Sequence, residues 1–449
     1  MKSFTLLLPS LLLSFGALTA CSGRLDVGTD PRVDPTGTGG GGAAGAAGGT
    51  GASGTTPMSL ASNVALGTGH GCAILEDRTV ACWGFNAAGQ TGVSQADSTP
   101  GSDGQHYVDL PRRVPSLSDV IQLTADWQTS CALVQNGDVY CWGAKAALLP
   151  GLDASASPPE VPILVPGLDH VVEIRSGGGP ACARKSDGSV WCWGDNSYLS
   201  VGPTRTPKNQ GSPMNEILSP TRVPGISDAT SIAVSDSLSC AVHGTTGEVS
   251  CWGRVEIDED KYVTDSDVPR LMPGVHGVKE LALAQSAAIA LLTDGSVMVW
   301  GGGGGDKGIL TQVATPKDPH ITDIDQQAVS PRAFTGLDKG MIAAVSAQYH
   351  SMCALRVDGA VLCWGDNYGG EVGTGHTTDI PTYAPTPVEG VSPAHGIVVG
   401  TWNSCAKKDS GELVCWGTGG DGALGNGEPN PPYAAKPGKP VLLPAPLHD

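Results

Sequence analysis

The chain has 449 residues, of which 64 are glycine and 34 are proline, and only 16% are charged. No long segment repeats apolar residues at helical spacing, so this composition favours many short strands joined by turns. Acidic residues outnumber basic residues by 44 to 26, and a formal net charge of −18 repels phosphate backbones. The sequence therefore predicts an all-β protein and argues against nucleic acid as a partner.

Residues 1–20 have the pattern of an export signal. Lys2 supplies the positive charge typical of the start of a signal peptide. The apolar stretch from Leu6 to Leu18 is shorter than a transmembrane helix normally needs. The segment that ends in Cys21 reads Leu-Thr-Ala-Cys and looks like a bacterial lipobox, in which the cysteine is lipidated and becomes the mature N-terminus. An ordinary secretory signal followed by a chance cysteine is the alternative. The pattern predicts a lipid anchor on Cys21 and an extracytoplasmic place in the cell envelope. With Ser22 next to the cysteine, that place is the outer membrane if the cell is Gram-negative.

Residues 21–60 consist almost entirely of small and polar residues, chiefly Gly, Ala, Thr and Ser. Such a segment has nothing to bury, so it is predicted to be a flexible linker between the anchor and a folded domain. The folded domain is predicted to occupy residues 61–449.

One hairpin motif recurs seven times in this domain, as in Cys131–Gly143 and Cys353–Gly365. Apolar residues flank a polar turn, which usually carries glycine six residues after the first cysteine, where a three-residue loop needs left-handed backbone. Successive Trp-Gly pairs lie 48 to 64 residues apart, enough for one four-stranded blade and its loops. The repeat predicts a seven-bladed β-propeller. Its motif tryptophans are Trp83, Trp142, Trp193, Trp252, Trp300, Trp364 and Trp416.

The 13 cysteines divide into Cys21 and six pairs, each spaced for directly opposite positions on a hairpin. The fifth repeat has Ile289 and Val299 at the two equivalent positions, so both partners are absent together. Zinc is the alternative, but pairs ten residues apart without companion histidines fit it poorly. The predicted disulfides are Cys72–Cys82, Cys131–Cys141, Cys182–Cys192, Cys240–Cys251, Cys353–Cys363 and Cys405–Cys415.

Most repeats are preceded by a Pro-x-x-Val strand such as Pro111–Val114, whereas the first repeat follows the linker directly. Lys439–Pro444 resembles these proline- and valine-containing strands but has no repeat after it. A propeller must protect the edges of its first and last blades. The C-terminal segment is therefore predicted to complete the first blade, which contains Cys72 and Cys82.

Residues 60–449 resemble the regulator of chromosome condensation repeat family. The resemblance rests on the recurring Cys-Ala-Leu, Asp-Gly and Cys-Trp-Gly elements and on their glycine-rich continuation, as in Trp83–Gly92 and Trp364–Gly373. It implies the propeller fold, and it leaves the particular function open.

Three aromatic residues are candidates for binding a partner, because they lie just before the first cysteine of their repeats. Trp127 and Tyr349 precede it by four residues and Trp402 by three. This position predicts a cluster on one face near the central channel, and large exposed aromatics are typical binding hot spots. The alternative is that they cap the core beneath the loops. The polar neighbours assigned to the same surface are Asp126, Gln128, Gln348 and Asn403.

No catalytic or metal-binding constellation is visible, since the ten histidines are scattered and Glu256–Asp267 lacks the ligand spacing of a calcium loop. The sequence thus predicts a non-enzymatic protein, without cofactor, that presents a propeller face to a protein or glycan. An extracytoplasmic hydrolase or lyase with a site in the channel is one alternative. A structural envelope protein is the other.

Overall fold

The structure is a computed structural model in which the anchor and linker predicted for residues 1–60 lie outside the described residues. Within the described ranges the chain forms strands and two short 3-10 helices, Gln95–Asp97 and Gly420–Gly422. No helix there has the length and apolar character needed to cross a membrane. The structure describes residues 64–101, 103–144, 160–203, 216–255, 264–285, 287–301, 329–428 and 433–445.

The strands form seven antiparallel sheets, which are the blades, and each blade is numbered in chain order. Blade 1 contains β1 Val64–Leu66, β2 His70–Ile74, β3 Val80–Phe85, β4 Thr99–Pro100 and β5 His106–Arg113, and blade 2 contains β6 Val120–Asp126, β7 Thr129–Val134, β8 Val139–Gly143 and β9 Ile163–Leu164. Blade 3 contains β10 Val171–Ser176, β11 Pro180–Lys185, β12 Val190–Asp195 and β13 Glu216–Arg222, and blade 4 contains β14 Ala229–Val234, β15 Leu238–His243, β16 Val249–Val255 and β17 Thr264–Leu271. Blade 5 contains β18 Val278–Leu283, β19 Ala287–Leu292, β20 Val297–Gly301 and β21 Val329–Ala333. Blade 6 contains β22 Ile342–Gln348, β23 Ser351–Arg356, β24 Val361–Asn367 and β25 Thr378–Pro387, and blade 7 contains β26 Ala394–Val399, β27 Asn403–Lys408, β28 Leu413–Thr418 and β29 Tyr433–Ala434.

The first strands of successive blades contact one another all the way round, and β26 of blade 7 returns to β1 of blade 1. The blades therefore close into a ring around a central channel, and the predicted seven-bladed β-propeller is confirmed. Because each blade is an antiparallel meander, its connections alternate between two faces. We call the face with the loops between first and second strands the upper face, and the face with the hairpin turns between second and third strands the lower face.

The predicted hairpins are confirmed in register and in chemistry. All six predicted disulfides form, each between directly opposite residues whose Cα atoms lie 4.0 to 4.1 Å apart. Ile289 and Val299 face each other in the fifth blade, where cysteines are absent. The predicted turn glycines have left-handed backbone, with φ of 90° at Gly137 and 79° at Gly188. In the first repeat Arg78 occupies this position, with φ of 59°.

The apolar core is divided among the seams between adjacent blades. Seven clusters of buried residues are present in the described ranges, and each contains one motif tryptophan. Trp142 of blade 2, for example, packs with Cys72 and Cys82 of blade 1. Its indole N–H donates to the carbonyl of Gln90, in the connection that follows the Trp-Gly pair of blade 1, at 3.0 Å. The motif tryptophans therefore hold neighbouring blades together, as one copy per repeat predicts.

The predicted route of ring closure is wrong. Blade 1 receives its own outer strand, β5, which pairs with β3 through Cys82 and Arg112. The C-terminal segment instead pairs with the last blade, through an isolated β-bridge between Pro440 and Val414. Every Pro-x-x-Val strand completes the blade before it rather than the blade after it. The C-terminal segment follows the same rule for blade 7.

Side-chain packing and hydrogen bonds between blades 7 and 1 close the ring. Val441 from the C-terminal segment joins a buried cluster with Leu66 and Trp83 of blade 1. The Trp83 indole N–H donates to the Ala423 carbonyl at 3.0 Å, and the Arg113 side chain donates to the Ala445 carbonyl at 2.6 Å.

Candidate functional site

The three predicted aromatic residues all lie in upper-face loops of two residues. Trp127 with Gln128 joins β6 to β7, and Tyr349 with His350 joins β22 to β23. In blade 7, the backbone N–H of Gly400 donates to the carbonyl of Asn403, which makes Thr401 and Trp402 the loop. The predicted placement on one face is therefore confirmed.

The glycine of each Trp-Gly pair positions the upper-face loop of its own blade. Gly365 has φ of 113°, and a Cβ atom there would lie 2.2 Å from the carbonyl oxygen of His350. This close approach lets the next backbone N–H, that of Asp366, donate to the same oxygen at 2.9 Å. The equivalent bonds in blades 2 and 7 are Ala144 N–H to Gln128 at 2.7 Å and Thr418 N–H to Trp402 at 2.7 Å.

Tyr349 and Trp402 form an aromatic pair across the seam between blades 6 and 7. Their ring centroids lie 5.6 Å apart with an interplanar angle of 54°, which is within the range of favourable aromatic contacts. The His350 ring packs on Tyr349 with centroids 3.9 Å apart. Trp127 belongs to blade 2 and shares a narrow cleft with Gly178 and Gly179 of blade 3. The structure therefore brings two of the three aromatics into contact and places the third elsewhere on the same face.

The predicted exposure of these residues is largely wrong. Tyr349 is 7% exposed, and Asp126, Gln348 and Asn403 are 2%, 0% and 1% exposed. Trp127, Gln128 and Trp402 are half-buried. The reason is that each loop has only two residues and is drawn onto its blade by the Trp-Gly glycine. The flanking polar residues therefore belong to strand ends, as Asp126 does in its pair with Thr129.

Two of these buried amides retain unused hydrogen-bonding capacity beside the aromatic pair. Neither amide atom of Gln348 has a hydrogen-bond partner among the described residues, and the same holds for the side-chain oxygen of Asn403. A buried polar atom without a partner costs roughly 1–3 kcal/mol. The Tyr349–Trp402 pair thus lies next to buried amides whose hydrogen-bonding capacity the described residues leave unused.

A buried histidine, which no sequence motif marks, lies at the upper end of the seam between blades 1 and 2. His70 begins β2 and lies 2.9 Å from the Ser130 hydroxyl through Nε2. That hydroxyl donates to the Gln90 carbonyl at 2.9 Å, so the imidazole N–H donates to Ser130. Burial lowers the pKa of His70 to about 4. Because His70 acts as donor and is inaccessible, it joins the blades and does not activate the serine.

A charged network lies among the inner strands of blades 3 to 5. Glu173 pairs with Arg175 and with Arg184, each at 2.9 Å, and accepts a hydrogen bond from Ser231 at 3.3 Å. Glu280 of blade 5 acts electrostatically on Arg175, whereas burial lowers the pKa of that arginine. Two carboxylates and two guanidinium groups balance, which suits a structural network. Across the described ranges, no three His, Cys, Asp or Glu side chains gather in a way that could hold a metal ion.

Comparison with known proteins agrees with this architecture. Two sequence profiles, both described as "Regulator of chromosome condensation (RCC1) repeat", match the chain, one at residues 61–90, 120–144 and 171–198 and the other at residues 187–242. These matches confirm the resemblance to the regulator of chromosome condensation repeat family.

Two curated relatives from eukaryotes show how far the sequence similarity extends. The human E3 ubiquitin-protein ligase HERC2 is 27% identical over 319 residues, which are 69% of this chain and 6% of the ligase. The guanine nucleotide exchange factor SRM1 of Saccharomyces cerevisiae is 25% identical over 342 residues, covering 67% of this chain and 68% of the factor. The chain thus spans only a small part of the ligase and about two thirds of the exchange factor.

Solved structures share the fold at low identity. Prp20p from Saccharomyces cerevisiae has a TM-score of 0.62 and 21% identity, covering 80% of this chain and 85% of that chain. Human WBSCR16 has a TM-score of 0.63 and 20% identity, covering 81% and 93%. These similarities establish the propeller fold.

Proposed function

We propose that this chain is a lipid-anchored extracytoplasmic binding protein that docks a protein partner on the upper face of its propeller. The observation that carries the proposal is the Tyr349–Trp402 pair, which lies at a blade seam beside buried amides with unused hydrogen bonds. Aromatic anchors next to desolvated polar groups are the usual composition of interface hot spots. The proposal assigns no catalytic step to the chain.

The relatives favour a protein over a glycan as the partner on this face. One structure of Prp20p is described together with its binding to Gsp1p and histones, and another shows Kap60 bound to yeast RCC1 (Prp20). These partners are proteins. For this chain we infer from them only that the partner is a protein.

The anchor supports the same role, since a lipid on Cys21 and a linker over residues 21–60 would hold the propeller at a membrane surface with freedom to turn. This part of the proposal rests on the lipobox pattern. Membrane fractionation of the full chain and of its Cys21→Ser variant tests it, and the variant is expected to leave the membrane fraction.

The binding surface is tested by crosslinking in the native cell followed by quantitative mass spectrometry of proteins that co-purify with the full chain. We expect a partner whose recovery falls at least about tenfold with Trp402→Ala, because hot-spot truncation costs roughly 2 kcal/mol or more. Gln348→Met should have a stability equal to or higher than that of wild type, because an unsatisfied buried amide is replaced by an apolar side chain of similar size.

Val357→Ala is the control, since Val357 is 58% exposed and lies in the hairpin turn between β23 and β24, on the lower face. It should leave recovery unchanged. Recovery that is equal for wild type and Trp402→Ala would refute the upper-face site.

A further inference from the structure

The chain contains two Asn-Gly pairs, Asn136–Gly137 and Asn426–Gly427. An asparagine before glycine can lose its side-chain amide, because glycine has no Cβ atom to hinder the approach of its backbone nitrogen to the asparagine side chain. Proteins adapted to high temperature accordingly contain fewer asparagines. The two pairs have the same chemistry, so the structure around each pair decides its reactivity.

Both asparagines begin the same kind of turn. The side-chain oxygen of Asn136 accepts the Asp138 backbone N–H at 2.9 Å, and that of Asn426 accepts the Glu428 backbone N–H at 3.0 Å. Such a turn bends the side chain towards the backbone that follows it, and the donor polarises the carbonyl group that the glycine nitrogen would attack. The starting geometry for attack is thus common to the two sites.

Asn136 is nevertheless held back by its hairpin. The Gly137 backbone N–H donates to the Val134 carbonyl at 2.9 Å, and the Asn136 side-chain NH₂ donates to the Asp138 carboxylate at 2.9 Å. The same hairpin is closed by the disulfide Cys131–Cys141. Attack would require the nitrogen to leave its acceptor and the amide to leave its own, so the turn would have to open first.

Asn426 has neither restraint. Within the part of the chain that the structure describes, neither the Gly427 backbone N–H nor the Asn426 side-chain NH₂ has a hydrogen-bond partner. Asn426 is half-buried, whereas Gly427 and Glu428 are exposed, so water reaches the site. The attacking nitrogen and the leaving amide are therefore both free to react.

Asn426 lies where the connection from β28 to β29 passes between blade 1 and the C-terminal segment. A Cβ atom at Gly427 would lie 2.7 Å from the side chain of Leu110 on β5 of blade 1. The C-terminal segment contacts the same connection, because the Leu442 backbone N–H donates to the Gly425 carbonyl at 3.0 Å. A covalent change at this position thus falls on the seam at which blades 7 and 1 meet.

We propose that Asn426 is a site of spontaneous covalent modification, at which the folded protein converts the side-chain amide to aspartate or isoaspartate. The Gly427 backbone nitrogen loses its proton and attacks the side-chain carbonyl carbon of Asn426. The new C–N bond closes a succinimide ring, and the amide nitrogen takes up a proton and leaves as ammonia. Water then opens the ring at either carbonyl group, and no oxidant or reductant is needed.

Both products disturb the seam. A carboxylate at position 426 adds a negative charge near Glu428, whose carboxylate accepts a hydrogen bond from the Lys439 ammonium, in a chain with a formal net charge of −18. Isoaspartate also inserts an additional carbon atom into the backbone, which displaces Gly427 from its close approach to Leu110. We expect the contacts of this connection with the C-terminal segment to weaken. The proposal does not depend on the upper-face site.

Peptide mapping of the full chain, oxidised and held in detergent at pH 8 for several weeks, tests the proposal. Mass spectrometry follows the conversion of amide to carboxyl at both sites, and enzymatic methylation of isoaspartate identifies that product. We expect Asn426 to be converted at least about tenfold faster than Asn136, because only its attacking nitrogen is free of a hydrogen bond. In the reduced chain in urea, where neither turn persists, the two sites should react at similar rates.

Asn426→Gln is the matched variant, because its longer side chain would have to close a larger ring, which forms more slowly. After the same incubation, amide hydrogen exchange in β1 and β28 should be faster in wild type than in Asn426→Gln, and exchange in β15 should be equal. Conversion of Asn136 as fast as that of Asn426 in the folded protein would overturn the proposal. So would an Asn426 that stays intact in the fold while it is converted in urea. Equal exchange in the two aged proteins would overturn the effect on the seam.

Discussion

Glu371 is a carboxyl group that the fold holds out of water at the seam between blades 6 and 7. It is 1% exposed, and its carboxylate oxygens accept the Gly369 backbone N–H at 3.0 and 3.1 Å. Its backbone carbonyl accepts the Trp416 indole N–H at 2.8 Å, as the Gln90 carbonyl accepts that of Trp142. Burial raises the pKa of Glu371 from 4.5 to about 7, and Asp366 adds to the effect. The protein therefore carries a titrating group where its first blade has a neutral amide.

Glu371→Gln is expected to stabilise the protein at pH 8 and to have little effect at pH 4.5. Because the folded pKa is raised, the folded state binds the proton more tightly than the unfolded state does. The corresponding stability is fully present below about pH 4.5 and is lost as the pH rises through about 7. The full loss is about 3 kcal/mol, from 1.36 kcal/mol per pKa unit. Urea unfolding of the oxidised protein at pH 4.5, 6 and 8 measures it.

Gln90→Glu is the converse variant, because Gln90 occupies the same position in blade 1 and is fully buried. It should add a further fall in stability between pH 4.5 and 8. A pH dependence that is identical in wild type and Glu371→Gln would show that this carboxyl is already ionised in the folded state.

At the scale of an element, the Trp-Gly strand couples the core to the upper-face loop. Gly365→Ala would place a methyl group 2.2 Å from the His350 oxygen, in addition to the left-handed backbone that φ of 113° demands. Gly411 has φ of 90° and open space around its Cβ position, so Gly411→Ala incurs the backbone cost alone. We expect a loss of roughly 1–2 kcal/mol for Gly411→Ala and more than about 3 kcal/mol for Gly365→Ala.

Thermal unfolding without reductant compares these two glycine variants. Gly365→Ala should also displace the Tyr349 loop and weaken partner capture, whereas Gly411→Ala should not. Equal destabilisation by the two substitutions would mean that the loop contact contributes nothing beyond backbone strain.

The hairpins could be predicted from sequence because their determinants are local. Cysteine spacing and a turn glycine such as Gly137 fix which residues face each other across ten positions of chain. The blade to which a Pro-x-x-Val strand belongs is not a local property, since that strand follows one hairpin and precedes the next at similar distance. Only hydrogen bonding such as Cys82 with Arg112 decides it. This is why the repeat predicted seven blades correctly and assigned the C-terminal segment to the wrong one.

The candidate site could be predicted only in part for a similar reason. Chain position placed Trp127, Tyr349 and Trp402 on one face, because connections alternate in a meander. Their burial depends on contacts with the neighbouring blade, as in the Tyr349–Trp402 pair, which no single repeat encodes.

At the scale of the whole molecule, the seam between blades 7 and 1 differs from the other six. Every disulfide lies within one hairpin, with a sequence separation of 10 or 11, so none ties one blade to another. At six seams the chain itself passes from one blade to the next. At the seventh, packing and hydrogen bonds alone join the blades, and the C-terminal segment provides part of them through Val441 and Ala445. The ring should therefore open first at this seam.

Deleting residues 439–449 is accordingly expected to lower amide hydrogen-exchange protection in β1, β2, β27 and β28 while β15 and β19 in the opposite half of the ring stay protected. Val441→Ala should reproduce a small part of the effect, about 1–2 kcal/mol, because Val441 is 7% exposed within the seam cluster. Leu442→Ala is its matched control, since Leu442 is 55% exposed, and should change stability by less than about 0.5 kcal/mol. Uniform loss of protection in all seven blades would instead show that the ring unfolds as a single cooperative unit, with no preferred point of opening.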